Sequence, residues 1–223
     1  DFTINELIPA IAKGGFISDS EKNKIADQYS FYSGLSKDFV MNNNLDIPNN
    51  YFWKELLRDK NGLTVGRLDS RYRGIDKRVA GSSPDTNIEL NSWNHSFTPA
   101  INYYVKNELK FETDIKYNVF GPVHPWDREN DNTRENLRKA MAQNPFLKVF
   151  MQSGYYDGAT NYFQAKYTMW QVDPSGKMKD RFYFEGYRSG HMMYLRSEDL
   201  KKSNDDLRDF IKNSSTNGMP AKY

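Results

Sequence analysis

Two residues of this 223-residue chain combine the types and the order along the sequence that acid–base chemistry requires. Asp157 follows an apolar run, and His191 follows a second one that ends near Tyr187. A carboxylate that accepts the Nδ1 proton of a histidine fixes the tautomer of the ring and stabilises the imidazolium during proton transfer. A turn aspartate beside glycine and a loop histidine also occur for purely structural reasons. Their order behind two successive strands makes Asp157 and His191 the best candidates for a working pair.

The elements predicted around these two residues alternate between helix and strand from about residue 131. A helix carrying Leu137 and Met141, a strand at 146–151, a helix carrying Tyr162 and Trp170, a strand at 181–187 and a final helix after Ser197 follow one another. This alternation is typical of a parallel sheet flanked by helices, the α/β class. The carboxyl ends of parallel strands lie at one edge, where catalytic groups gather. We therefore expect Asp157 and His191 to lie close together.

The first part of the chain has a different pattern. Residues 1–90 predict a helical cap or lid segment with a loop-rich linker, and residues 91–223 predict the α/β part. Ser18 and Glu21 have the spacing of a capping box, and Ser36 is expected to begin a further short helix. Thr98 and Pro99 are expected to open a helix in the second part.

Composition excludes several classes of protein. Lys and Arg number 31 against 29 Asp and Glu, so a net charge of +2 gives no electrostatic case for nucleic acid or an anionic membrane. The mean hydropathy is −0.84, and no run approaches the ~18 apolar residues of a membrane-spanning helix. No cysteine is present, which excludes a disulfide scaffold, a thiol nucleophile and a cysteine-ligated metal. His95, His124 and His191 are too scattered for a recognisable metal site, and no glycine-rich phosphate loop predicts a cofactor.

Two segments carry a resemblance to a known family. Residues 149–160, Val-Phe-Met-Gln-Ser-Gly-Tyr-Tyr-Asp-Gly-Ala-Thr, and residues 186–194, Gly-Tyr-Arg-Ser-Gly-His-Met-Met-Tyr, resemble the end of a serine carboxypeptidase. The resemblance covers residues 131–223 well. It extends less sharply through residues 93–95 and 121–127, and more weakly to the family's lid in the helical start. The family has an α/β-hydrolase fold with the chain order Ser, Asp, His.

The resemblance implies a role for four residues. Asp157 would be the triad acid and His191 the triad base, while Met192 would line the leaving-group side of the substrate pocket. Tyr155 stands where the family commonly has a polar residue, which makes it a candidate substrate contact of altered character. The implied substrate is the C-terminus of a peptide, and the implied chemistry uses no metal or organic cofactor. A periplasmic or secreted location is also implied by the family alone, since the residues themselves leave the compartment open.

The family's nucleophile has no counterpart here. No serine has glycine at both flanking positions of a G-x-S-x-G elbow: Ser36 and Ser83 have it on one side only, and Ser189 lies two residues from His191. We therefore expect the serine and the oxyanion hole to precede Asp1. On this interpretation the chain is the C-terminal portion of a peptidase, inactive alone. A half-sheet exposes an edge and an apolar face, so it would pair with the missing N-terminal part or self-associate.

A second hypothesis needs no catalytic pair. The aromatic content of 15% includes Trp93, Trp126 and Trp170, which could form a stacking surface for peptides or glycans, although aromatic side chains at helical spacing are more often core. On this interpretation the protein is a non-catalytic binding module. Replacing Asp157 or His191 would then leave its function unchanged.

Overall fold

The structure is a computed structural model and describes residues 1–115, 122, 125–129, 131–216, 218 and 220. It divides the chain into two compact units, Asp1–Glu89 and Leu90–Tyr223. Helix accounts for 53% and strand for 9%, with a small parallel sheet, so the architecture is mixed α/β. The division lies next to the change of organisation that the sequence predicts at residues 90–91. The role of the first unit as a lid stays a prediction.

The N-terminal unit is mainly helical. A π-helical turn at Thr3–Leu7 leads into the first of its helices, which are α1 (Ile8–Ala12), α2 (Asp19–Ser33), α3 (Lys37–Asn42), α4 (Asn49–Glu55) and α5 (Arg58–Asn61). Strands β1 (Thr64–Val65) and β2 (Arg73–Gly74) form a short antiparallel ladder. Its core lies among the first three helices and the turns that follow them, and consists of Leu7, Ala10, Ile25, Ala26, Leu35, Val40 and Leu45.

Helix ends in this unit follow from local sequence. The Ser18 hydroxyl accepts the backbone N–H of Glu21 at 3.2 Å, and the Ser36 hydroxyl accepts that of Phe39 at 3.2 Å, so both predicted N-caps are confirmed. Gly34 ends α2 with a left-handed φ of 78°. The capping box is only half formed, because the Glu21 carboxylate binds Lys13 at 2.6 Å rather than reaching back to Ser18. An ion pair with a lysine therefore replaces the second capping bond.

A buried ion pair joins α4 to the loop after β2. Lys54 Nζ lies 2.5 Å from Asp76 Oδ2, and the two side chains are only 3% and 2% exposed. Thr64 donates its hydroxyl to the same carboxylate oxygen at 2.7 Å, and Lys54 also donates to the carbonyl of Arg78 at 2.5 Å. Burial opposes ionisation of Asp76, but the hydrogen bonds from Lys54, Thr64 and Asp85 outweigh it and hold its pKa below the usual value. No motif in the sequence indicates this cluster.

The C-terminal unit contains the predicted alternation of helices and strands. Its elements are most of α6 (Ile88–Tyr103), a π-helical turn at Tyr104–Glu108, α7 (Thr133–Gln143), β3 (Val149–Gly154), α8 (Tyr162–Trp170), β4 (Phe182–Tyr187) and α9 (Ser197–Ser214). The prediction that a helix opens at Thr98 was wrong, because α6 begins ten residues earlier and contains Pro99. Ile88, the first residue of the helix, and Trp93, in its second turn, are both buried.

Strands β3 and β4 pair in parallel, with Val149 opposite Phe182 and Gly154 opposite Tyr187. One face packs against α9, since Phe150 stacks on Phe210 at a centroid distance of 5.1 Å. The other face carries Val149 and Phe182, which pack on a small core of Met141, Val172 and Met178. The sheet thus lies between helices on both faces, as the α/β prediction requires. Two described strands give no finer assignment of the fold.

Candidate acid–base site

Both parallel strands end at the same edge, and their last residues place the candidate side chains there. Beyond the ladder, Tyr155 N–H donates to the Tyr187 carbonyl at 2.9 Å, and Tyr156 N–H donates to the Ser189 carbonyl at 3.0 Å. The strand predicted at 146–151 lies three residues further along the chain, at Val149–Gly154. Asp157 therefore follows the end of β3 by only three residues, and the loop after β4 runs directly beside it.

The structure brings Asp157 and His191 into direct contact. His191 Nδ1 lies 2.9 Å from Asp157 Oδ2, within hydrogen-bond distance. The Asp157 side chain is 4% exposed, whereas the His191 side chain is 43% exposed. Among the described residues no hydrogen bond to His191 Nε2 is found, and the ring is partly open to solvent. A buried carboxylate behind a half-exposed imidazole is the arrangement in which the outer nitrogen can accept a proton.

Short-range hydrogen bonds hold the Asp157 carboxylate in place. Its Oδ1 accepts the backbone N–H of Ala159 at 2.8 Å and that of Thr160 at 3.0 Å. Its Oδ2 accepts the Thr160 hydroxyl at 2.5 Å in addition to the His191 ring. These donors engage both oxygens of the carboxylate, so the turn holds Asp157 in position beside the imidazole. The Asp-Gly turn chemistry and the pairing with His191 thus coexist in one residue.

A polar network on the face of the sheet that packs against α9 anchors the end of β4. The Tyr187 hydroxyl donates to Asp206 Oδ2 at 2.7 Å, and Gln152 Nε2 donates to the Tyr187 hydroxyl at 2.8 Å. Burial, and secondarily the Asp206 carboxylate, raise the pKa of Tyr187. Asp206 is not a freely solvated carboxylate, because it binds Tyr187 and Lys202 and its side chain is 22% exposed. This network ties β4 to α9 four residues before His191.

The two predicted substrate contacts lie at the same strand ends. Tyr155 is 57% exposed, and its ring contacts Tyr162 edge to face at 5.1 Å. A Cβ on Gly186 would overlap the Tyr155 ring, so the ring rests where a β4 side chain would otherwise stand. Met192, directly after His191, is half-buried and begins the 3₁₀ turn Met193–Leu195. Tyr155 thus lies at the end of β3 and Met192 directly after His191, and their contact with a substrate stays a prediction.

Other candidate residues are not brought to this site. The Ser189 side chain is buried at 1% exposure, and its hydroxyl has no hydrogen-bond partner among the described residues, so it is inaccessible as a nucleophile. His95 lies exposed on α6, with Nδ1 3.3 Å from the Asn91 carbonyl. His124, Gly121 and Val123 lie outside the described residues. Within the described part of the chain, no group of three or more potential ligands could hold a metal ion, and no helix is long and apolar enough to cross a membrane.

Gly154 provides a sharp test of how the site is assembled. A Cβ at this position would overlap the backbone carbonyl oxygens of Ser189 and Gly190. We expect Gly154→Ala to push the His191 loop away from β3 and to lower the free energy of unfolding by about 1–3 kcal/mol, the range for overpacking. Chemical denaturation measures this loss. Gly15→Ala, where a Cβ meets nothing within 4 Å, is the matched control. Equal stability of the two variants would contradict the close approach.

Comparison with known proteins identifies no relative of this chain. No protein-family model, no curated protein and no solved structure matches this chain. The resemblance to serine carboxypeptidases therefore rests on the two motifs around Asp157 and His191.

Proposed function

We propose that this chain is the C-terminal portion of a serine carboxypeptidase-like peptidase and supplies the aspartate and the histidine of its catalytic triad. The observation that carries the proposal is the 2.9 Å contact between the buried Asp157 carboxylate and Nδ1 of the half-exposed His191. In such a triad, His191 Nε2 takes the proton of a serine hydroxyl as the serine attacks the peptide carbonyl. It then gives that proton to the leaving amine, while Asp157 stabilises the imidazolium.

The remaining parts of the proposal follow from the same motifs. Strands β3 and β4 are proposed as the last strands of a larger α/β-hydrolase sheet, and residues 1–90 as its lid. The nucleophile and the oxyanion hole belong to a segment that precedes Asp1 in the chain, so the 223 residues alone are inactive. Met192 and Tyr155 border the bound peptide C-terminus. The proposed mechanism uses no metal or organic cofactor.

Exposed apolar side chains support a partner for the C-terminal unit. Leu200, Leu207 and Ile211 on α9 are each more than 40% exposed. A patch of this kind is typical of a surface that another segment covers. The partner proposed here is the missing N-terminal part of the same protein, with self-association of the chain as the consequence when that part is absent.

The experiment compares this chain with a polypeptide extended upstream of Asp1. We expect the extended polypeptide to release the last residue from peptides with a free C-terminus, but not from C-terminally amidated ones. A fluorophosphonate, which phosphonylates activated serines with loss of fluoride, should stop that release, and the 223-residue chain should release nothing. Hydrolysis that resists the fluorophosphonate, hydrolysis by the 223 residues alone, or none from the extended polypeptide would overturn the proposal.

The binding-module alternative is supported by the exposed rings of Tyr155, Trp126 and Trp170, whereas Trp93 is buried. It predicts that the extended polypeptide binds peptides or oligosaccharides without turning them over. Isothermal titration with the same peptides separates the two functions. Binding without product release would favour the module.

A further inference from the structure

Thr160 contacts both members of the acid–base pair. Its hydroxyl oxygen lies 2.5 Å from Asp157 Oδ2 and 3.3 Å from His191 Nδ1. The same Asp157 oxygen accepts the imidazole, so hydroxyl, carboxylate oxygen and ring nitrogen form a compact triangle. Nothing in the sequence singles out this threonine beyond its place in the motif.

The proton positions in this triangle follow once the Asp157 carboxylate is taken as ionised. An ionised Asp157 can only accept, so the single hydroxyl proton of Thr160 points to Oδ2. The lone pairs of the Thr160 oxygen are then left facing His191 Nδ1. Nδ1 thus meets two acceptors, which requires it to carry the proton in the neutral ring and leaves Nε2 unprotonated.

We propose that Thr160 is a positioning residue that fixes the orientation of the Asp157 carboxylate and thereby the Nδ1–H tautomer of His191. This inference rests on the proposed function, because only that tautomer lets Nε2 accept the proton of a serine. The Thr160 hydroxyl and backbone N–H engage both carboxylate oxygens, so the carboxylate cannot turn without losing one of them. Among the described residues, Asp157 is the ion-pair partner of His191.

Thr160 suits a test by substitution because its side chain is exposed. Thr160→Val keeps the size and the branching at Cβ and removes only the hydroxyl. Thr160→Ser keeps the hydroxyl and removes only the methyl group. Thr168, an exposed residue of α8 with no side-chain hydrogen bond among the described residues, provides the matched control Thr168→Val.

The measurement is the ¹⁵N spectrum of the histidine rings in the 223-residue chain at about pH 8.5, about two units above the ordinary pKa of histidine. Loss of a signal in His191→Gln assigns the ring. We expect His191 to be protonated mainly on Nδ1. In Thr160→Val the ratio of Nδ1–H to Nε2–H should fall by about tenfold, the size of one net hydrogen bond to a charged group. Thr160→Ser should restore the ratio, and Thr168→Val should leave it unchanged.

Two outcomes separate the inference from the function beneath it. A ratio in Thr160→Val equal to that of the unmodified chain would overturn the role of Thr160 and leave the Asp157–His191 pair intact. An unmodified chain protonated on Nε2 of His191 would instead overturn the proposed function. If Thr160→Val does not fold, Thr160→Ala removes the same hydroxyl and is judged by the same ratio.

Discussion

Replacing His191 by glutamine is expected to lower kcat/KM for peptide hydrolysis by the extended polypeptide by about 10⁴- to 10⁶-fold. Glutamine keeps a polar side chain of similar reach, but its amide cannot take up a proton from a serine. The Asp157 carboxylate lies 2.9 Å behind the ring and would lose the imidazolium that it stabilises. Because the half-exposed ring contributes little to the core, the variant should fold and bind peptide nearly as well. Steady-state kinetics and titration of peptide binding measure the two effects separately.

His95→Gln is the matched control for this prediction. His95 is exposed on α6, and its recorded hydrogen bond is to the Asn91 carbonyl within the same helix. We expect its kcat/KM to stay within about twofold of the unmodified value, since isolated surface substitutions change little. A His191→Gln variant that kept turnover at the His95→Gln level would place the chemistry elsewhere. Unchanged function in both variants would favour the binding module.

Lys54→Met is expected to lower the free energy of unfolding of the N-terminal unit by about 3–5 kcal/mol, the range for breaking a buried ion pair from one side. The substitution leaves the Asp76 carboxylate, 2% exposed, without its cation, and leaves the Arg78 carbonyl without its donor. Denaturation followed by hydrogen exchange of peptides within residues 49–76 measures the loss. The double variant Lys54→Met/Asp76→Leu should recover much of it, because no unpaired charge then remains buried.

The control for Lys54 is the same substitution at an exposed ion pair. Lys13 binds Glu21 at 2.6 Å with side chains 48% and 37% exposed. Lys13→Met should cost at most about 1 kcal/mol, because solvent screens such pairs. Similar losses at Lys13 and Lys54 would show that the pair to Asp76 is not buried in solution.

Lowering the pH should also reveal how much the Asp76 carboxylate contributes to stability. The pKa of Asp76 is held below its usual value in the folded state, so its contribution to stability is present above the unfolded pKa of about 3.9 and is lost as the pH falls through the folded pKa. Stability of the N-terminal unit measured between about pH 5 and pH 2 should fall less steeply in Asp76→Asn than in the unmodified chain. Equal slopes would mean that the Asp76 carboxyl titrates as in the unfolded chain.

Local sequence accounts for much of the secondary structure. Ser18 and Ser36 cap helices because each hydroxyl accepts the backbone N–H of the third residue after it, a contact that lies within one turn of the chain. Gly34 ends α2 because glycine readily adopts a positive φ. Helix and strand periodicities predicted the alternation in the C-terminal unit. Pro99 misled because proline favours the first turn of a helix, whereas here it lies inside α6, which begins at Ile88.

The candidate site was predictable in part. Asp157 and His191 could be named because parallel strands bring the residues that follow them to one edge. The contributions of Thr160 and Gly154 could not be named from the sequence, since both depend on how closely the loop after β4 approaches β3. The role of Asp206 could not be named either, because it depends on Tyr187 of β4 lying opposite this position of α9.

The helix caps, the α/β alternation and the order of an aspartate and a histidine behind two strands can be derived from the amino-acid sequence. These features depend on contacts within a few residues or on periodicity, which a chain carries regardless of its fold. The burial of Asp157 behind an accessible His191, the enclosure of Ser189 and the pairing of Lys54 with Asp76 across 22 positions are visible in the folded chain alone. Such contacts depend on which distant segments of the chain the fold brings together, and local backbone preferences do not encode this.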